Sequence, residues 1–131
     1  MILVQEDFLH YLWKFQFFTH KELFTSDHRS VQVFNAGAYN VNSGPDFFNA
    51  KVLIGGQLWA GNVEIHVKAS DWYVHQHEKD SNYDNVILHV VWENDIEIYH
   101  KNNTVIPSIE LSPLVSEEVL ERYYNLFFKT K

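Results

Sequence analysis

The run "VILHVVWEN" (86–94) constrains the fold more than any other stretch of the chain. It is almost continuously apolar, the pattern of a central strand buried on both faces. Such a strand needs neighbours on either side and cover above and below. The rest of the chain supplies both. "QEDFLHYLWKFQFF" (5–18) spaces its apolar residues three and four apart and opens on acids, predicting an amphipathic helix. "SVQVFNAG" (30–37) alternates as a strand that ends at Gly37. "YNVNSGPDFF" (39–48) is rich in the residues that fix sharp turns. "FFNAKVLI" (47–54) and "QLWAGNVEIHVKAS" (57–70), joined at Gly55–Gly56, predict a β-hairpin. The polar stretch 71–85 reads as a helical turn plus loop, and 95–111 as a second hairpin turning at Asn102–Asn103, with Pro107 marking an edge strand. "SEEVLERYYNLFFK" (116–129) predicts a closing helix.

The expected fold is therefore α+β: a mixed or antiparallel central sheet of about five to six strands between N- and C-terminal helices. Its 131 residues make one domain. Phe127 and Phe128 lie close to the end of the sequence. The expectation is that residues 1–131 are the N-terminal part of a longer protein, with the remainder or a protein partner lying over that helix. The chain has no cysteine, which excludes disulfides and thiolate chemistry and suits the cytoplasm. No apolar run reaches membrane-spanning length, so no membrane association is expected. A net charge of -7 argues against tight, non-specific grip on nucleic acid, although bound cations could offset an acidic site.

Chemistry concentrates in "GNVEIHVKASDWYVHQHEKD" (61–80). On a strand, Glu64, His66 and Lys68 share one side while Val63, Ile65 and Val67 take the other. A hairpin turning between residues 55 and 56 sets Asp46 opposite residue 65, within a few ångströms of Glu64. Two carboxylates that close repel unless a proton or cation lies between them, and Mg²⁺ or Mn²⁺ suits such oxygen ligands. The bland alternative is a turn aspartate and a solvated strand glutamate. A second candidate set is His75 and His77 with Asp80, joined by His66 and His89, which would suit Zn²⁺, Mn²⁺ or Fe²⁺. The bland alternative there is a solvated loop and a buried His89 paired with a carboxylate. His89 could also hold His66 in place.

Two resemblances follow from these stretches. "GPDF", "WAGNVEIH", "SDWYVHQHEKD", "YDNVILHVV" and "FLHYLWKFQ" resemble an uncharacterised bacterial domain family found mostly in Bacteroidetes, over nearly the full length. More loosely, "GPDF" with Asp46 and "VEIHV" with Glu64 are similar to the PD-(D/E)XK nuclease superfamily. That resemblance implies a restriction-endonuclease-like core and a divalent-metal-dependent nuclease or phosphodiesterase. Asp46 and Glu64 would be metal ligands, Glu6 an outer acid, and His66 would stand where the superfamily carries lysine. His66 could then act as the base, or Lys68 could supply the cation. A catalytically inactive interaction domain on the same scaffold and a His-ligated metal-binding module are the alternatives.

Overall fold

The computed structural model describes residues 4–127. The side chain of Phe127 and all of Phe128, expected to lie under a covering partner, fall outside the described residues. Helix α1 (Glu6–Phe15) is followed by β1 (Val31–Asn35), the short β2 (Ala38–Tyr39), β3 (Phe47–Ile54) and β4 (Gln57–Lys68). A one-turn helix α2 (Asp71–Val74) and two 3-10 turns lead into β5 (Val86–Glu93), then β6 (Ser108–Glu110) and helix α3 (Glu117–Phe127). The strands form one mixed sheet in the order β1-β3-β4-β5-β6, with β2 paired to β3. The first part is antiparallel, whereas β4, β5 and β6 run parallel. The expected α+β class and the central position of "VILHVVWEN" both hold.

The second hairpin forms around the expected turn at Asn102–Asn103, but only over residues 98–106 rather than 95–111. Tyr99 bridges Val105, the His100 N–H donates to the Thr104 carbonyl at 2.8 Å and the Ile106 N–H to the Ile98 carbonyl at 3.0 Å. The chain then turns beyond Pro107 and adds β6 parallel to β5. Strand periodicity states which face is buried but not which neighbour a strand chooses, so the parallel pairing had no signal of its own.

Residues of α1 pack on one face of the sheet. Phe8, Leu9, Leu12 and Trp13 join Phe47, Val63, Ile65, Leu88 and Val90 in the larger core. Helix α3 closes over α1, where Tyr123 stacks on Phe8 with ring centres 3.9 Å apart. The opposite face is covered by the crossover between β4 and β5, whose Trp72 and Tyr83 pack with Val86 and Val91. Glu64, His66 and His89 belong to this second face, since strand side chains alternate and Val63, Ile65 and Leu88 take the first.

Two local features set where the site lies. In β3 the register slips between Phe47 and Ala50: Ala50 pairs with Gly61 but Phe47 pairs with Val63. Asn49, at φ 60°, takes the left-handed backbone of this bulge. In β4, Gly61 lets the parallel neighbour come close. A Cβ there would lie 2.4 Å from Ile87 Cγ2 and 2.7 Å from the Asn85 carbonyl oxygen, which itself accepts from the Asn62 N–H. Gly61→Ala is expected to destabilise the protein by about 1–3 kcal/mol, because backbone must move. A urea denaturation midpoint equal to that of the parent chain would refute this close approach.

Candidate metal centre

The bulge decides how the candidate carboxylates meet. With an unbroken register Asp46 would stand opposite residue 65, a position of the α1-facing core. The slipped register brings it beside Glu64 instead. The Asp46 N–H donates to Glu64 Oε1 at 3.2 Å, and the Ile65 N–H donates to Asp46 Oδ2 at 2.8 Å. Glu64 is only 4% exposed, so its carboxyl is shielded from water, whereas Asp46 keeps partial exposure.

Glu64 Oε2 faces imidazoles. It lies 2.9 Å from His77 Nε2 and 3.3 Å from His66 Nε2. His66 Nε2 is in turn 3.2 Å from His75 Nδ1. One ring nitrogen from each of His66, His75 and His77 lies within 4.8 Å of the other two, an arrangement able to hold a metal ion. The crossover is shaped to do this: Gln76 adopts a left-handed φ of 58° between the two loop histidines. His77 is held flat by Tyr83, whose ring stacks on it at 3.8 Å.

Behind His66 stands His89, fully buried, with its Nε2 2.7 Å from His66 Nδ1. Of the two partners expected for His89, a carboxylate and His66, the structure has the imidazole of His66. The edge of Trp72 closes the other side of His89, with ring centres 5.5 Å apart. His89 thus supports the back of His66, in the way partners behind ligand histidines fix ring orientation.

A third group joins from α1 and was not among the sequence candidates. His10 Nε2 lies 3.5 Å from Glu6 Oε1 and 3.6 Å from Asp46 Oδ1, while its Nδ1 meets the Tyr39 hydroxyl at 3.1 Å. The signal was present in the sequence, since Glu6 and His10 are one helical turn apart and share a face. The remaining candidates stand aside. Asp80 caps the turn that follows it, accepting from the Asn82 N–H at 2.9 Å. Lys68 is exposed at the far end of β4, and its charge acts on Asp95.

This crowding displaces the protons. Burial and the neighbouring Asp46 charge push Glu64 up to about 10. Burial also works against ionised Asp46, but His10, Glu64 and the Ile65 N–H together hold its pKa below the usual value. Burial likewise opposes charge on His10, yet Asp46 and Glu6 overcome it and raise the imidazole to about 11. Burial carries His66 down to about 4 and His89 well below its usual value.

The linkage signs follow. Glu64 and His10 are raised in the folded state, so each contributes stability at low pH that is lost as pH climbs through its folded value. The depressed His66 works oppositely, adding stability as pH rises from about 4 toward 6.5. Metal-free protein is therefore expected to lose thermal stability steadily from about pH 7 to pH 10, and Glu64→Gln to remove part of that slope. A thermal midpoint that climbs over that range would contradict a protonated Glu64.

A family model described as "Protein of unknown function (DUF2851)" matches residues 6–131. The chain belongs to that family. Neither the curated proteins nor the solved structures offer a match to this DUF2851 domain. Among its described residues no helix is long and apolar enough to cross a membrane.

Proposed function

We propose that this DUF2851 domain is a metal-binding module, its ion held by His66 Nε2, His75 Nδ1 and His77 Nε2 with Glu64 as the carboxylate ligand. The observation that carries the reading is the spacing of these atoms. Ligands about 2.1 Å from one tetrahedral ion stand about 3.4 Å apart, and about 3.0 Å apart when octahedral. The separations here run from 2.9 to 3.3 Å around Glu64 Oε2 and His66 Nε2. A lone hydrogen bond would explain any one of them. It does not explain His77 Nε2, which is buried and lies 2.9 Å from a carboxylate oxygen without the alignment of a hydrogen bond.

The donor set of three imidazoles and one carboxylate suits Zn²⁺, Fe²⁺ or Mn²⁺ better than Mg²⁺. An oxygen-only Mg²⁺ site between Asp46 and Glu64 is less well supported, because the carboxylate oxygens already have neighbours. Asp46 Oδ2 receives Ile65 N–H, Oδ1 faces His10, Glu64 Oε1 receives Asp46 N–H, and Oε2 faces the imidazoles. His75 is exposed, which leaves one side of the centre facing solvent. An ion held there supplies a Lewis acid and an acidified water. Glu64 would give up its proton on binding, and His89 would receive the Nδ1–H of His66.

The test is metal content and affinity. Protein stripped with chelator and reloaded should retain one equivalent of Zn²⁺ or Co²⁺ at this centre, with Co²⁺ showing the visible bands of a nitrogen-rich site. Absence of any retained ion would refute the reading. A second reading, metal-dependent cleavage of a phosphodiester, is favoured by one observation: Asp46 meets Glu64 across the hairpin, as the PD-(D/E)XK resemblance requires. Reloaded protein incubated with DNA and RNA panels tests it, and turnover that survives Glu64→Ala would argue against it.

A further inference from the structure

We propose that Glu6, His10 and Asp46 form a second cation site, distinct from the histidine centre, that takes Mn²⁺ or a similar oxygen-seeking divalent ion. The three residues come from the first turn of α1, its second turn, and the loop entering β3. One ligand atom of each lies within 4.8 Å of the other two. This inference does not depend on the histidine centre, because only Asp46 touches a residue of that centre.

The detailed geometry separates a metal from a proton. If a proton alone joined His10 to a carboxylate, the nitrogen would approach one oxygen to about 2.7–2.9 Å in line with its N–H. Instead Nε2 stands 3.5 Å from Glu6 Oε1 and 3.6 Å from Asp46 Oδ1, almost equally far from both. The nitrogen is shut off from water and has no aligned hydrogen-bond partner among the described residues. These separations match ligands gathered around one ion, about 3.4 Å apart for bonds of about 2.1 Å.

The surroundings are also those of a ligand histidine. Nδ1 of His10 meets the Tyr39 hydroxyl at 3.1 Å, and the ring stands edge-on to both Tyr39 and Phe47. Without an ion the charged imidazole shares its Nε2–H between the two carboxylates, and a bound cation would take the place of that proton at Nε2. Asp46 is fixed by its Oδ2, which accepts from Ile65 N–H at 2.8 Å, so Oδ1 is the atom turned to His10. One imidazole and two carboxylates make a harder donor set than the three imidazoles nearby, which favours Mn²⁺ here and Zn²⁺ there.

The experiment is Mn²⁺ binding to the whole chain, read by metal analysis and by electron spin echo modulation from coupled nitrogen. The parent chain should bind two equivalents. Glu6→Gln and His10→Gln should each bind one, with the spectral contribution of a single-imidazole site gone. His77→Ala should lose the other equivalent and keep that contribution. Glu6 is partly exposed, so its variant guards against a loss caused by misfolding, and matching thermal midpoints of the metal-free proteins check both. If Glu6→Gln and His10→Gln retain the parent's full complement, a proton alone holds the cluster together and the second site is wrong. In that case loss at His77→Ala alone would leave the histidine centre standing. Loss at His10→Gln without loss at His77→Ala would instead establish the Glu6–His10–Asp46 site and remove the histidine centre.

Discussion

His77→Ala is expected to weaken Zn²⁺ or Co²⁺ binding by at least about 100-fold, beyond the 10–100-fold typical of outer partners, because a direct ligand is removed. His75→Ala should follow it. The two differ in what else they disturb. His75 is exposed, so its loss should leave the fold untouched, whereas His77 also carries the stacked Tyr83 ring. Glu64→Gln is the sharpest companion. The amide mimics the protonated acid that burial and Asp46 enforce but takes up no proton on folding, so the metal-free variant should be at least as stable as the parent at neutral pH. Affinity should nevertheless fall with the loss of the anionic ligand. Competition against a fluorescent chelator measures all three. Unaltered affinity in His75→Ala and His77→Ala together would end the case for this centre.

Trp13→Ala should cost about 3–5 kcal/mol, a large share of the about 5–15 kcal/mol that holds a domain of this kind folded. Trp13 is fully buried, stacks on Phe18 at 6.1 Å, and donates from Nε1 to the Ala36 carbonyl at 2.9 Å. Its removal opens a cavity between α1 and the sheet and orphans that carbonyl. Trp13→Phe should cost markedly less, since most of the burial survives and one hydrogen bond is lost. The consequence reaches the chemistry, because α1 also carries Glu6 and His10. A helix docked more loosely would present them less well to Asp46. Chemical denaturation followed by circular dichroism gives the magnitude. A cost under about 1 kcal/mol would mean that α1 is not anchored by this ring.

Much of this was legible in the sequence, and the boundary between what was and was not is physical. Periodicity located α1, the β3–β4 hairpin and the doubly buried β5, because each buries a face at a fixed spacing. The neighbourhood of Asp46 and Glu64 also followed from hairpin arithmetic, but one residue out. A bulge breaks period two, and its only sequence trace is Asn49, a residue type that tolerates left-handed backbone. His75 and His77 could be noticed but not aimed, since the turn at Gln76 that points both at His66 has no periodic signature. His10 was hidden by its setting: within an amphipathic helix it reads as one more residue at the edge of an apolar stripe. The parallel β5–β6 pairing was invisible because strand alternation carries no information about direction.

The bulge at Asn49 gives the hairpin one residue of slack. Phe47 and Ala50 stand three residues apart yet both face the α1 side, because Asn49 takes up the odd residue. Deleting Asn49 would restore period two and leave Asp46 opposite Glu64. A second deletion from β3 would find no such slack. It would turn Asp46 to the core face and sever both the Glu64 contact and the His10 contact in one step.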